Sequence, residues 1–125
     1  MNQQNITTLV HGLYQAVDNK DLDFLENNLT SQARFRLGNF PEVVGIKNIL
    51  EGNKQFFTSI ESMSHTIEDI ILASNSSSIT KVCCHGAVDY IRLDGSGHSA
   101  MFSTVLTIDD GLISDYLVFA DISGL

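Results

Sequence analysis

The sequence predicts a single α+β domain over residues 1–125, in which three N-terminal helices pack on one face of an antiparallel sheet. Apolar residues recur with helical spacing in the first half of the chain and alternate with polar residues in the second half. The chain has 125 residues, 43% of them hydrophobic, and one proline, which suits one domain with one core. No repeat, linker or low-complexity segment divides it.

The first half of the chain predicts two helices, a strand and a third helix. Residues 5–19 follow the i, i+3, i+4 apolar pattern, which indicates an amphipathic helix with Asn5 as its N-cap. Asp21 is the expected cap of a short second helix, and a half-buried strand follows at 33–37, where apolar residues alternate with arginines. After a loop that contains glycine and proline, the helical period returns through about residues 46–61.

The second half of the chain predicts four strands in a row. They cover about 65–73, 79–93, 98–108 and 112–120, and the turn segments NSSS, DGSG and DDG separate them. Three consecutive hairpins indicate an antiparallel meander. The sheet therefore follows the helices along the chain.

The last strand is apolar on both faces, so both faces need cover. Simple alternation puts Leu117 on the inner face and Leu112, Tyr116 and Val118 on the outer face. A monomer would expose the outer set as an apolar patch. We therefore expect a homodimer assembled through the outer, convex face of the sheet.

Charge and hydropathy exclude several classes of partner. Seven basic and fifteen acidic residues give a net charge of -8, which repels nucleic acid and anionic membranes, so neither partner is expected. No apolar run reaches the roughly 20 residues that a membrane span needs, and the N-terminus lacks the pattern of a signal peptide. The expected location is the cytoplasm.

The cysteines and histidines do not form a metal motif. Cys83 and Cys84 are adjacent, so on a strand they point to opposite faces and do not form an ordinary disulfide with each other. The four histidines lie in four separate segments with no paired spacing. We expect no metal site and no cofactor.

Four stretches of the chain carry a resemblance to a known family. They are YQAVDNKDLDFLENNLTSQARFRL, GIKNILEGNKQFF, SHTIEDI and TIDDGLISDYLVFADISGL. In this order they resemble the nuclear transport factor 2-like superfamily, and specifically its SnoaL-like branch, over nearly the whole chain. The resemblance implies a cystatin-like, cone-shaped and strongly curved antiparallel sheet that helices close around a ligand cavity. It also implies dimers through the convex sheet face.

Members of that superfamily include polyketide cyclases, scytalone dehydratases, ketosteroid isomerases, epoxide hydrolases and non-catalytic binding domains, so the fold alone does not choose a function. Local similarity to scytalone dehydratase puts Asp18 at the acid of the first helix and His65 at a catalytic histidine. It puts Ser99 at a substrate-contacting serine, whereas Met101 replaces an asparagine and Leu37 replaces a pocket tyrosine. The second catalytic histidine of that family has no counterpart here.

An aspartate–histidine pair in a dry cavity can remove a proton next to a carbonyl group or drive the loss of water. Asp18 and His65 are the candidates for this pair, and Tyr14 lies one helical turn before Asp18. In the alternative interpretation, Asp18 only caps the helix, His65 is a hydrogen-bonded strand residue and Tyr14 belongs to the core. The sequence leaves both interpretations open.

The candidate ligand-binding residues are mostly aromatic and aliphatic, and the same residues would also suit an ordinary core. Their strand parity depends on any bulge in the segment 98–108. The resemblance adds an acid of the closing strand, at the position of a SnoaL-type cyclase acid. Together with Tyr14, the candidates are Phe35, Leu37, Phe56, Phe57, Ser99, Met101, Thr104, Leu117 and Asp121.

Three functions fit these expectations. The first is a cofactor-independent lyase, isomerase or cyclase that acts on a small apolar carbonyl compound by aspartate–histidine proton transfer. The second is a non-catalytic domain that binds a hydrophobic ligand, and the third is a dimerisation domain whose cavity is filled by side chains. The sequence does not decide whether the chain is an enzyme, and the structure of the pocket discriminates between the three functions.

Overall fold

The chain forms three helices and a six-stranded curved sheet in a computed structural model that describes residues 2–75 and 78–125. This confirms the predicted α+β class. In chain order the elements are α1 (Gln3–Asp18), α2 (Leu22–Asn28), β1 (Leu29–Leu37), β2 (Val43–Val44), α3 (Ile46–Thr58), β3 (Ile60–Asn75), β4 (Ile79–Arg92), β5 (Gly97–Asp109) and β6 (Leu112–Ala120).

The helix caps decide where the first two helices begin. The side chain of Asn2 accepts a hydrogen bond from the backbone N–H of Asn5 at 2.8 Å, so α1 begins at Gln3 and Asn5 lies inside its first turn. The prediction of Asn5 as the cap was therefore wrong. Asp21 caps α2 as predicted, because its carboxylate accepts from the N–H groups of Asp23 and Phe24.

The sheet is mixed, with the strand order β2-β1-β6-β5-β4-β3. The strands β3 to β6 form the predicted antiparallel meander, but β1 pairs with β6 in parallel. The expectation of a wholly antiparallel sheet is thus corrected. Because β1 and β6 are far apart in the chain, no tight turn connects them, and turn residues in the sequence do not predict their pairing.

Bulges curve the sheet toward the helices. In β3 the register shifts at three points, and one of them, between Ile67 and Asp69, lies opposite Gly86 of β4. A Cβ atom at Gly86 would overlap the carbonyl oxygen of Thr66, so only glycine fits under this crossing. Each bulge bends its strand and increases the local twist. The concave face that results receives α1 and α3.

A bulge in β6 reverses the predicted faces of the residues that follow it. Thr107 pairs with Asp115 and Ile108 pairs with Ile113, so one extra residue, Ser114, interrupts the alternation. Tyr116 is consequently buried on the inner face, and Leu117 lies on the outer face. The placement of Leu117 inside and Tyr116 outside was wrong for this reason.

The core lies between the apolar face of α1 and the concave face of the sheet. The fully buried apolar side chains form one cluster, which includes Ile6, Val10, Leu13, Leu25, Ile49, Val82, Cys84, Val88, Leu106, Ile108 and Ile113. In residues 2–75 and 78–125 no helix is long and apolar enough to cross a membrane. The outer sheet face carries exposed apolar side chains, among them Met101 (74% exposed) and Phe119 (56%).

Candidate functional site

Asp18 and His65 form a direct pair where α1 ends against β3. One carboxylate oxygen, Oδ1, lies 2.6 Å from His65 Nδ1, and the other, Oδ2, accepts the backbone N–H of His65 at 3.0 Å. The carboxylate thus holds both the ring and the main chain of the same residue. The His65 side chain is 7% exposed and that of Asp18 is 24% exposed. The imidazole is inside the protein, and the carboxylate lies at its edge.

The turn after α1 fixes this end of the helix on β3. Lys20 has a positive φ of 56°, and its Nζ donates to the carbonyl oxygens of Ile60 and Glu61 at 2.9 and 3.0 Å. These bonds join the turn to the start of β3, five residues before His65. The C-terminal end of α1, which carries Asp18, is therefore held against the backbone of β3.

The hydrogen bond to Asp18 sets the tautomer of His65. A carboxylate accepts a hydrogen bond from Nδ1–H, which leaves Nε2 of the neutral ring as the acceptor nitrogen. Among the residues that the structure describes, no side chain or backbone group bonds to His65 Nε2, and this atom is not closed off from a water-sized sphere. It is the free basic nitrogen of the pair.

Two aromatic rings hold the imidazole in place. The centroid of Tyr14 lies 4.8 Å from that of His65, and the centroid of Phe102 lies 5.1 Å away in an edge-to-face contact. The Tyr14 hydroxyl forms a short hydrogen bond with the hydroxyl of Thr104 and accepts one from Cys84 Sγ. Tyr14 therefore contributes its ring to the site, while its hydroxyl is bonded to β4 and β5.

A small cavity, here called the inner cavity, lies beside His65. Its volume is about 30 Å³, which is room for about one or two water molecules. Both His65 and Tyr14 line it, but Asp18 does not. The remaining lining residues come from α1, α3 and the concave sheet face: Val17, Phe35, Leu37, Asn53, Phe56, Phe57, Met63, Tyr90, Tyr116 and Val118.

A larger apolar pocket, here called the outer pocket, adjoins the inner cavity between α3 and the loop after β1. It has a volume of about 450 Å³ and shares Phe35, Leu37, Asn53 and Phe56 with the inner cavity. Its other lining residues are Phe40, Pro41, Val43, Ile49, Gly52, Gln55 and Ser59. The two spaces therefore lie next to each other along these four residues.

A groove on the opposite side of His65 is open to solvent. It has a volume of about 330 Å³, and its lining includes His11, Gln15 and Asp18 as well as Tyr14 and His65. His65 thus separates the inner cavity from this groove. Asp18 and His65 therefore both line the groove. Of the two residues, only His65 also lines the inner cavity.

Two further tyrosines of the inner cavity were not identified as site residues from the sequence. Tyr90 and Tyr116 are both buried, and neither phenol oxygen has a hydrogen-bond partner among the described residues. Burial, and next the charge of Asp18, raises the pKa of Tyr90 to about 12. Burial also raises the pKa of Tyr116, with smaller contributions from Cys84, Tyr90 and Asp18. Both phenols therefore stay protonated at neutral pH.

The sequence held a partial signal for these tyrosines. Tyr90 follows Val88 at the spacing of one strand face, and Val88 is a core residue. Tyr116 was hidden by the bulge at Ser114, because alternation without the bulge puts it outside. Asn53 and Met63 are further lining residues that no pattern in the sequence indicated.

The structure brings several of the predicted site residues together. Tyr14, Phe35, Leu37, Phe56, Phe57 and His65 all line the inner cavity. Thr104 is fully buried behind Tyr14, to which it is bonded. Asp18 does not line the inner cavity and is connected to these residues by its hydrogen bonds to His65.

Four predicted ligand-binding residues lie elsewhere, and this corrects their expected position. On β5 the buried Phe102 faces inward, so Ser99 and Met101 point to the outer face, where Ser99 bonds to Asp89. Leu117 is outside because of the bulge in β6. Asp121 follows the end of β6, is exposed, and accepts bonds from Ser123 that hold the pKa of its carboxyl below the usual range.

Nothing in this site has the donor set of a metal centre. Within the described ranges, no three side chains of histidine, cysteine, aspartate or glutamate come together. The chemistry that the geometry supports is proton transfer by His65 Nε2, with Asp18 behind the ring. Burial raises the pKa of the nearby Cys84 thiol to about 11, so this cysteine is a protonated neighbour.

Solved structures with the same fold come from several bacteria. A candidate aromatic ring hydroxylase from Novosphingobium aromaticivorans has 17% identity and a TM-score of 0.86, covering 95% of this chain and 88% of that one. A candidate dehydratase of the nuclear transport factor 2-like family from Streptomyces avermitilis has 11% identity and a TM-score of 0.84, covering 95% of both chains. A candidate SnoaL-like polyketide cyclase from Jannaschia sp. CCS1 has 16% identity and a TM-score of 0.75, covering 97% and 88%.

At these identities the structural matches show a common fold and nothing about the reaction. No curated protein matches the chain by sequence. The model of one protein family, the SnoaL-like domain, matches residues 10–116, which is most of the chain. The chain therefore belongs to the SnoaL-like domain family.

Proposed function

We propose that this chain binds a small apolar carbonyl compound and acts on it as a cofactor-independent lyase, isomerase or cyclase. The observation that carries the proposal is the Asp18–His65 pair, with 2.6 Å between Oδ1 and Nδ1, no bond at Nε2, and the His65 side chain in the lining of the inner cavity. An imidazole oriented by a carboxylate is a general base whose protonated form the carboxylate stabilises.

The first step is removal of a proton from the carbon next to the carbonyl group. His65 Nε2 takes the proton, the electrons of the C–H bond form a C=C bond, and the carbonyl π electrons move to oxygen to give an enolate. Asp18 stabilises the imidazolium that results. No electron leaves the ligand and no co-reactant is needed, which is why the proposal includes no cofactor.

The fate of the enolate separates the three reaction types. In an isomerase the imidazolium returns its proton to another carbon of the conjugated system. In a lyase the enolate re-forms the carbonyl and expels a β-hydroxyl group, which takes the proton from His65 and leaves as water. In a cyclase the enolate re-forms its carbonyl while its carbon attacks a second carbonyl of the same molecule, and the oxygen of that second carbonyl takes the proton from His65. All three start with the same proton transfer.

The surroundings support this chemistry. The rings of Tyr14 and Phe102 enclose the imidazole, and the walls of the outer pocket are mainly apolar, which suits an uncharged ligand. Removal of water strengthens the interaction between the imidazolium and the developing enolate. Members of the same fold are candidate dehydratases and cyclases, and this agrees with the proposal by analogy only.

Deuterium exchange tests the first step without knowledge of the natural ligand. 2-Tetralone, a flat ketone with acidic α-protons, is incubated with the protein in deuterium oxide, and proton NMR follows the loss of the α-proton signal. We expect the wild type to accelerate exchange over buffer. His65→Gln and Asp18→Asn should each lower the protein-catalysed rate by about 10²- to 10⁴-fold. Retention of full exchange by His65→Gln would contradict the proposal.

His85→Gln is the matched control for this assay. His85 lies on the outer sheet face, where its Nδ1 is 3.8 Å from Glu68 Oε2, away from both cavities. Its exchange rate should equal that of the wild type. In His65→Gln the backbone N–H of residue 65 still bonds to Asp18, so the helix end stays anchored and folding is expected to persist.

The second candidate function is non-catalytic binding of a hydrophobic ligand. The position of Asp18 favours it, because this carboxylate is 24% exposed and faces the open groove, whereas the inner cavity is lined by His65 without it. Saturable binding of 2-tetralone without accelerated exchange would identify this function.

We also propose a homodimer that assembles through the outer sheet face, because Met101 and Phe119 are exposed apolar side chains on that face.

A further inference from the structure

We infer that the hydroxyls of Tyr90 and Tyr116 form a pair of donors for the ligand's oxygen, so that a neutral, flat ketone enters with its carbonyl end first. This inference rests on the proposed function, since it assumes that the reacting carbon lies beside His65. It adds two binding residues and the orientation of the ligand.

The three tyrosines of the chain differ in how their hydroxyls are bonded. The Tyr14 hydroxyl is bonded to Thr104 and Cys84. The hydroxyls of Tyr90 and Tyr116 have no bond to any described residue, although both side chains are buried and line the inner cavity. Neither oxygen is sealed from a water-sized sphere, and both side chains line the inner cavity together with His65. A hydroxyl that belongs to a buried side chain and has no protein partner takes its hydrogen bond from a ligand or water.

The charge state of this pair selects the kind of ligand oxygen. Both phenols have raised pKa values, chiefly because of burial, so both remain donors at neutral pH. The charge of Asp18 reaches both of them and contributes to these shifts. A ligand that is already an anion is repelled by the same carboxylate. A neutral carbonyl oxygen is accepted, and its negative charge develops only when His65 becomes a cation.

The dimensions of the two spaces set the orientation of the ligand. The inner cavity, at about 30 Å³, admits a carbonyl oxygen in place of water but not a ring. The outer pocket, at about 450 Å³, has room for a bicyclic apolar body. The two spaces share Phe35 and Phe56. The carbonyl end must therefore occupy the inner cavity while the rings occupy the outer pocket.

The same two phenylalanines hold the donor rings in fixed positions. Phe35 contacts the ring of Tyr116 edge-to-face at 4.9 Å, and Phe56 contacts that of Tyr90 in the same way at 6.0 Å. Each donor ring is thus packed against a residue that also contacts the ligand's body. Preorganised donors lose little freedom when the ligand binds.

Two matched ligands test the pair. 2-Naphthol is flat and carries one oxygen, as does the enol of 2-tetralone, and naphthalene has the same body without the oxygen. Their dissociation constants are measured by ligand fluorescence with the full chain. We expect the wild type to prefer 2-naphthol, and Tyr90→Phe and Tyr116→Phe each to weaken its binding by about 3- to 10-fold, the usual effect of one hydrogen bond. Naphthalene binding should stay within about twofold in both variants.

Ser103→Ala is the control variant, because it removes a hydroxyl from the outer sheet face near Cys83. It should bind both ligands as the wild type does. Equal affinity of the wild type for both ligands, or unchanged 2-naphthol binding in both phenylalanine variants, would overturn the inference. If the oxygen preference is present but 2-tetralone does not exchange, the proposed catalysis fails and the donor pair stands. If the wild type binds neither ligand, both are refuted.

Discussion

The hydrogen bond between Tyr14 and Thr104 provides a quantitative test of how the site is built. Tyr14→Phe removes the phenol oxygen and leaves the Thr104 hydroxyl, which is 0% exposed, without that partner. An unsatisfied buried hydroxyl costs about 1–3 kcal/mol. We therefore expect the free energy of unfolding to fall by about this amount.

The melting temperature gives a second measure of the same loss. Unfolding entropy is about 2.1 cal/mol/K per residue, which for 125 residues gives about 0.26 kcal/mol/K. A loss of about 1–3 kcal/mol then lowers the melting temperature by about 4–11 °C. Differential scanning calorimetry and urea unfolding, on the same protein samples, measure the two quantities.

Two further variants make the test specific. Tyr14→Phe combined with Thr104→Val removes both partners, so the double variant should recover much of the stability that Tyr14→Phe loses. Tyr116→Phe removes a hydroxyl that has no protein partner and should change the free energy of unfolding by less than about 0.5 kcal/mol. Strictly additive losses in the double variant, or an equal loss in Tyr116→Phe, would refute the reasoning.

Three other predictions follow from the fold. Gly86→Ala should prevent stable folding because its Cβ would overlap the backbone of β3. Gly52→Ala should instead stabilise the fold by about 0.5–1 kcal/mol, because this helical position at the outer pocket leaves room for a Cβ atom, and urea unfolding compares the two variants. Burial raises the pKa of the Cys84 thiol from 9.0 to about 11, so the thiol of the unfolded state loses its proton first and the free energy of unfolding falls as the pH rises from 9 to 11. In Cys84→Ala the urea midpoint should fall less over this pH range. An identical fall in the variant and the wild type would count against this cause. Light scattering should give twice the 13.7 kDa chain mass for the wild type and a monomer for Met101→Glu with Phe119→Glu, and a monomeric wild type would exclude the dimer.

The sequence predicted those parts of the fold that local patterns determine. The helical period placed α1, the Asp21 cap began α2, and turn residues separated β3 to β6. The parallel pairing of β1 with β6 had no local signal, because the two strands are distant in the chain. In β6 the predicted faces are reversed only after Ser114, because this single bulge residue changes the parity of every residue after it.

The site was predictable to a different degree for each residue. Asp18 and His65 came from the family resemblance, and the structure has them in direct contact. Tyr90 and Tyr116 depend on which strand face is concave and on whether their hydroxyls find partners, and both are properties of the tertiary structure. Met101 was misplaced because its side depends on the strand's parity, which no residue pattern fixed.

The contact of Asp18 with β3 also protects an open sheet edge. β3 is the last strand in the sheet, so one side of its backbone has no neighbouring strand. Asp18 occupies the N–H group of His65 on β3, and Lys20 occupies the carbonyl groups of Ile60 and Glu61. Opposite charges on one short turn therefore occupy sites where a strand of another molecule would otherwise pair. The carboxylate that orients the imidazole thus also discourages edge-to-edge aggregation, and this effect of Asp18 does not depend on any catalysis.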